Sequence, residues 1–276
     1  MNSHSTDSCE ACPAHNTGNL VKLGVNMQGA DFVIAMAGNP NTGKSTVFNA
    51  LTGLRQHTGN WPGKTVARAE GGFSYGDKRY KVVDLPGTYS LLSTSTDEEI
   101  ARNFILFGQP DVTVIVVDAS RLERNLNLVL QVLEITNRAV VCLNLMDEAK
   151  RHGLNVSDRL LAKDLGVPVV PTAARQGVGM QDLLRTISDV ATGKLPCRPH
   201  RIQNYSNRLQ QAIAHLGELI ETKFPGLTNA QWVALRLLEG DQQLIEALRN
   251  GEFESLGPPE TVNAFAEPVY AGGTNA

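Results

Sequence analysis

Apolar positions fall in two rhythms along this chain, and the rhythms alternate. DFVIAMAG (31–38), KRYKVVDLPG (78–87), DVTVIVVDAS (111–120), AVVCLNLMD (139–147) and VPVVPTAA (167–174) are short runs, most of them rich in β-branched residues. Near-continuous apolar character, as in DVTVIVVDAS, marks a strand buried on both faces. Between the runs, STVFNALTG (45–53), LERNLNLVLQVLEI (122–135), SDRLLAKDLG (157–166) and GMQDLLRTISDVATG (179–193) carry apolar residues at helical intervals. Strands alternating with helices predict an α/β fold with a mainly parallel, doubly wound sheet, whose ligands sit beyond the C-terminal strand ends.

The rhythm changes near residue 196. After LPCRPH the segment 205–224 places Leu209, Ile213, Leu216 and Ile220 on one helical stripe, with Leu219 beside it, and 228–240 and 242–251 read as two more helices. The expected organisation is a polar N-terminal tail (1–29), an α/β domain (30–195), a small all-helical domain (196–257) and a linker (258–276).

Composition narrows the function. A formal net charge of -3 gives no prior for nucleic acid, which favours a clustered basic surface. No run of eighteen apolar residues is present, and the N-terminus lacks the apolar core of a secretory signal. Cys142 lies in an apolar strand, which suits a reducing compartment. Cys9-x-x-Cys12 with His4 and His15 has the spacing of half a zinc site, but the second half is missing, so these read as thiols in a polar tail.

The chemistry sits at the strand ends. Gly38-Asn39-Pro40-Asn41-Thr42-Gly43-Lys44-Ser45 matches G-x-x-x-x-G-K-[ST] directly after a strand and opening a helix that continues with Thr46. Backbone N–H groups of such a loop curl round the β-phosphate, the lysine neutralises β and γ oxygens, and the Ser45 hydroxyl ligates Mg²⁺. Asp84 would hold Mg²⁺ through a water, and Gly87 would offer its N–H to the γ-phosphate. The polar segment QHTGNWPGKTVARAEGG (56–72) reads as a switch that orders around γ-phosphate and Mg²⁺. Thr65 is the chosen Mg²⁺ ligand from it, with Thr58 the competitor. Asn144-Leu145-Met146-Asp147 stands where guanine is read as N-K-x-D, so GTP is favoured over ATP; the Asp147 carboxylate can accept from the guanine N1–H and exocyclic amine. The motif Asp84-Leu-Pro-Gly87 is followed by Thr88, Tyr89 and Ser90, none of which replaces the water-orienting glutamine of Ras-type switches.

GNPNTGKSTVFNALTG, GNWPGKTV, DLPGTYSL, DASRLERNLNLVLQVLE and NLMDEAKRHG together resemble the cytosolic G-domain region of the ferrous iron transport protein B family, over about residues 31–193. NWPG and ERNL are the most particular of these. The resemblance implies a P-loop GTPase fold and a slow, Mg²⁺-dependent GTPase cycling between GTP and GDP. It also implies K⁺ held by Asn41 and by the backbone carbonyls of Gly59 and Trp61, supplying the charge of an arginine finger. Asn41, Lys44, Thr65 and Gly87 would then be the catalytic set. The helical part would act as an intramolecular GDP-dissociation inhibitor facing a membrane permease region of the same protein. The chain would then be a soluble fragment of a protein at the cytoplasmic face of the inner membrane, with a homo-oligomer left open. Two departures stand out: Leu145 replaces the usual lysine, and Ala173-Ala174 follows Thr172 where Ser-Ala is usual, which implies looser GDP binding. The alternative is a TrmE/Era-like GTPase acting on ribosome or tRNA, but neither a KH-type GxxG loop nor a basic stripe accompanies the helical part.

Overall fold

The structure, a computed structural model, describes residues 20–253 apart from 27, 54, 55, 93, 94, 202–204, 226, 228 and 252. The cysteine pair at 9 and 12 and the expected linker 258–276 lie outside the described residues.

Seven strands form one sheet: β1 (Phe32–Gly38), β2 (Gln56–Asn60), β3 (Ala67–Tyr75), β4 (Lys78–Asp84), β5 (Val112–Asp118), β6 (Ala139–Asn144) and β7 (Val169–Pro171), in the order β2-β3-β4-β1-β5-β6-β7. The five-strand run β4-β1-β5-β6-β7 is parallel, and β3 and β2 extend it antiparallel. The helices are α1 (Lys44–Thr52), α2 (Thr96–Gly108), α3 (Leu122–Ile135), α4 (Met146–Arg151), α5 (Asp158–Leu165), α6 (Met180–Ala191), α7 (Asn207–Lys223), α8 (Ala230–Leu238) and α9 (Gln242–Arg249).

Pleating explains the two layers of helix. In β1, Val33, Ala35 and Ala37 face one apolar cluster that includes α2, α3 and the helical domain. Phe32, Ile34 and Met36 face another, shared with α1 and α6. β5 divides the same way, with Ile115 and Val117 on one side and Val114 and Val116 on the other. Alternate residues of a strand point to opposite faces, so an all-apolar strand requires cover on both. Each Val, Ile, Phe or Met side chain so removed from water stabilises the fold by about 1.5–3 kcal/mol. Strand order reverses at β1, which puts a crevice at its C-terminal end between β4 and β5.

Three features depart from the sequence reading. The segment expected to order only around γ-phosphate is an antiparallel pair: Gln56–Asn60 runs against Ala67–Gly71, which continues in register against β4 as far as Tyr75 opposite Lys78. Glu70 of β3 is buried and compensated by Arg68 at 3.0 Å and Lys81 at 2.9 Å, while Phe73 stacks on Tyr80 with centroids 4.8 Å apart. Residues 20–25, assigned to the polar tail, pack onto the domain, with Leu20 and Val25 buried and Arg68 donating to the carbonyls of Leu23 and Gly24. α2 was not anticipated; it is capped by the Ser95 hydroxyl, which accepts from Glu98 N at 3.3 Å, with Asp97, Glu98 and Glu99 in its positive first turn.

The helical domain packs α7 against α8, with Ile213, Gly217 and Ile220 of α7 buried. Leu209 and Leu216 are partly buried on the same core, and Leu219 stays exposed. Contact with the α/β domain includes a buried ion pair: Arg102 of α2 reaches Asp241, the N-cap of α9, at 3.3 Å. Phe253 bridges Phe107 and Phe224, with ring centroids at 5.3 and 5.5 Å.

Candidate functional site

The loop after β1 is shaped by what a side chain would hit. A Cβ on Gly38 would stand 2.6 Å from the Val116 carbonyl oxygen, so only glycine lets the loop leave β1 beside β5. Thr42 Oγ1 donates to Asn39 O at 2.9 Å, closing the turn. Asn41 (φ 67°) and Gly43 (φ 79°) adopt the left-handed conformation, which asparagine tolerates and glycine prefers. Lys44 then starts α1, with Ser45 and Thr46 exposed in its first turn, so free backbone N–H groups and a hydroxyl face the crevice.

β4 brings Asp84 beside Met36 of β1, at the level of this loop. Lys44 Nζ donates to Asp84 Oδ1 at 2.5 Å and to Leu85 O at 2.7 Å. Burial pushes the Asp84 carboxyl above the ordinary aspartate range, and Lys44 opposes that shift. A partly buried carboxylate that draws a cation, next to the Ser45 hydroxyl, is a hard-oxygen donor set that fits Mg²⁺.

The loop after β4 runs under the phosphate loop. A Cβ on Gly87 would lie 3.5 Å from Pro40, and Thr88 N donates to Gly38 O at 3.3 Å. Thr88 is 4 % exposed, so its hydroxyl does not take the place of a glutamine in solvent reach of the phosphates. Beyond it the loop is tied to α3. Gln131 Oε1 accepts from Leu91 N at 2.6 Å and Ser90 Oγ at 3.2 Å, and the Arg124 guanidinium lies 4.5 Å over the Tyr89 ring.

Asn144 braces the base-reading end. Its Nδ2 donates to Thr42 O at 3.0 Å, and its Oδ1 accepts from Ala174 N at 3.1 Å and Thr172 Oγ1 at 3.2 Å. These three bonds make Asn144 a brace between the loops, and its NH₂ group has a second N–H that none of them uses. Gly43 belongs to the same fit, because its Cβ would stand 2.5 Å from Asn144 Nδ2. Leu145 adopts φ 60°, an uncommon conformation for leucine, at the N-cap of α4. Asp147 is half-buried on α4 and accepts from Gln176 Nε2 at 3.0 Å. The loop expected to be slack for want of a serine is braced otherwise: Ala173 pairs with Val178, Thr172 N donates to Leu143 O at 2.8 Å, and Gln176 reaches Asp147.

The first switch does not converge with this cluster. Gly59 and Thr58 lie in β2, three strands from β1, or about 14 Å at ordinary strand spacing. Trp61 is buried at 4 % exposure against Phe104, its N–H donates to Val66 O, and its carbonyl accepts from Lys64 N at 3.0 Å. Thr65 is exposed in the β2–β3 connection. Strand pairing explains the placement, since β2 is held by β3 along five residue pairs. For K⁺, Asn41 at the exposed loop crest fits as an oxygen donor, whereas the Gly59 and Trp61 carbonyls do not meet it in this arrangement.

Sequence reasoning placed Gly38, Asn41, Thr42, Gly43, Lys44, Ser45, Asp84 and Gly87 in one crevice, and the structure gathers them there. Asn39 differs: its side chain is 2 % exposed and turned into the protein, leaving only its backbone at the loop. Arg124, Gln131, Thr172 and Gln176 were not singled out. The signal for the first lies in ERNL, which carries Arg124.

A profile of ferrous iron transport protein B matches residues 32–187, and one of the FeoB cytosolic helical domain matches residues 205–265. The Fe(2+) transporter FeoB of Escherichia coli K12 is 41% identical over 212 residues, covering 75% of this chain and 27% of that transporter. The chain therefore spans about a quarter of the length of such relatives. The cytosolic domain of L. pneumophila FeoB superposes with a TM-score of 0.68 at 35% identity, covering 81% of this chain and 95% of the other. The GDP form I structure of the T. maritima FeoB cytosolic domain gives 0.71 at 36%, covering 84% and 88%. With a G-domain loop system followed by a matching helical domain, the chain belongs to the ferrous iron transport protein B family.

Proposed function

We propose that this chain is a GTP-binding and GTP-hydrolysing module, Mg²⁺-dependent and stimulated by K⁺, that serves ferrous iron uptake through a membrane permease region of its full-length protein. The observation that carries the reading is the convergence of three elements on one crevice. The turn Gly38–Ser45, Asp84–Gly87 and Asn144–Asp147 are joined by Asn144 Nδ2 on Thr42 O and by Gly87 against Pro40. The T. maritima relative with GDP supports the nucleotide class.

In this reading the N–H groups at the start of α1 cradle the β-phosphate, and Lys44 leaves Asp84 for the β and γ oxygens. Ser45 and Asp84, through a water, would hold Mg²⁺, which neutralises charge between the phosphates. Thr65 joins them only if the β2–β3 connection folds in, and Gly87 N–H then meets the γ-phosphate. Asp147 accepts from guanine N1–H and the exocyclic amine, which adenine does not offer; Ala174 N–H and the Leu145 side chain border the same base. Asn41 would hold K⁺, and a monovalent cation there adds positive charge where the transition state develops negative charge. Backbone groups of the first switch would position the water, since Thr88 is buried. The helical domain, docked on α2 directly after the second switch loop, is placed to bias nucleotide release.

Phosphate release from GTP and from ATP, each with Mg²⁺ and with excess chelator, tests the reading. Release from GTP alone, abolished by the chelator, is expected. Equal turnover of ATP would overturn it.

A further inference from the structure

Beside the phosphate loop lies a partly open cavity of about 50 Å³, between the loop, Asn41 included, and the first turn of α3. Asn39, Asn125, Asp118, Arg121, Arg124 and Tyr89 line it. Asn39 is 2 % exposed, and neither its Oδ1 nor its Nδ2 has a hydrogen-bond partner among the described residues. Asn125 is 3 % exposed; its Nδ2 donates to Arg121 O at 2.8 Å, which fixes the amide and leaves its buried Oδ1 without a partner. Two buried side-chain amides with open hydrogen-bonding atoms therefore line one small polar cavity. Buried amides are hydrogen-bonded to protein or to ordered water in nearly all structures. A single water needs roughly 10–15 Å³ of such space and two to four polar partners.

The geometry points to an internal water site in which Asn125, through bound water shared with Asn39, is a positioning residue for the phosphate loop. Asn39 precedes Pro40, so its backbone is confined to extended conformations. Pro40 leads directly into Asn41 at φ 67° and carries the contact with Gly87. Fixing the Asn39 side chain from α3 thus fixes the turn that shapes the loop crest. Tyr89, held under Arg124, closes the same cavity from the second switch loop, so this loop and the phosphate loop share one wall. An ion held by the two arginines is the competing occupant. The inference rests on the reading that this loop holds the phosphates of a hydrolysed nucleotide.

The test uses ¹⁵N-edited water Overhauser spectra of the whole chain together with GTP turnover, for wild type, Asn125→Leu and Asn125→Asp. Asn125→Leu keeps the volume and removes the acceptor; Asn125→Asp keeps the acceptor. The Asn39 side-chain amide of the wild type is expected to show a cross-peak to long-lived water. Asn125→Leu should lose it and lower kcat at least tenfold with the thermal midpoint within a few degrees, and Asn125→Asp, which keeps the acceptor but not the donor to Arg121 O, should recover part of both. A merely structural role would lower the midpoint and leave kcat of the folded fraction unchanged. Absence of the cross-peak in wild type, a direct Asn39–Asn125 bond, an ion in place of water, or unchanged kcat in Asn125→Leu overturns the inference. If the wild type hydrolyses no GTP, the functional reading falls, and the amide signal alone decides whether the water bridge exists.

Discussion

The Asn144 side chain ties the base-reading strand to the phosphate loop, donating to Thr42 O at 3.0 Å while accepting from Ala174 N at 3.1 Å. Two loops that would contact opposite ends of a nucleotide are thereby one mechanical unit. Asn144→Ala removes the partner of Thr42 O and Ala174 N, while Thr172 Oγ1 keeps Cys142 Sγ and Leu143 O, at a cost on the order of 2–3 kcal/mol. Urea unfolding should show that loss, and fluorescent GDP should bind at least ~10-fold more weakly. Gly43→Ala should act on the same bond, because a Cβ would stand 2.5 Å from Asn144 Nδ2.

In the proposed function, base choice rests on Asp147. Asn in its place presents an N–H where guanine also presents one, and suits xanthine, which carries a carbonyl at that carbon. Asp147→Asn is expected to weaken GDP binding by on the order of a hundredfold and to create binding of xanthosine diphosphate. Competition titrations with the two diphosphates check this. Unchanged GDP affinity would remove Asp147 from the base site.

Arg102 and Asp241 join α2 to the helical domain with side chains only 2% and 5% exposed. Removing one partner of a buried pair typically costs about 3–5 kcal/mol, and less here because Arg236 Nε also lies 3.6 Å from Asp241. Arg102→Ala should therefore loosen the helical domain, read from Trp232 fluorescence in urea on a Trp61→Phe background. Arg102→Met with Asp241→Asn should recover part of the loss, since the charge is gone and asparagine keeps the N-cap acceptor for Leu244 N.

Asp111 accepts from Val33 N at 2.8 Å, yet burial raises its carboxyl to about 6, against the opposing hydrogen bond and Arg138. A carboxyl whose folded pKa is raised binds more protons folded than unfolded, so stability falls as pH rises from about 3.8 to about 6. The effect of this one group is on the order of 2–3 kcal/mol. Asp111→Asn should flatten that part of the pH–stability curve, measured by denaturant midpoints between pH 4 and 7.

The parallel part of the fold was legible because each strand is buried on both faces and reads as an unbroken apolar run, as in VTVIVVD. β2 and β3 were hidden by their position at the sheet edge. Their polar residues are stabilised by partners distant in sequence, such as Glu70 by Lys81, and no local rhythm records that. At the site, residues whose backbone or charge faces the crevice were legible from motif spacing. Asn39 and Asn144 were assigned to the nucleotide by the same spacing, but the Asn39 side chain is turned into the protein and Asn144 also braces three loop groups. Only burial and partner geometry distinguish those roles.

In the proposed function, potassium stimulation through Asn41 answers for the missing glutamine, since Thr88 is buried; Gly59 and Trp61, the other ligands expected for the cation, stand apart in this arrangement. GTP turnover should be measured in matched KCl and NaCl for wild type and Asn41→Ala. A several-fold gain in K⁺ that the substitution abolishes is the predicted result. Equal rates in the two salts would contradict the account and return the missing charge to another side chain or to a partner.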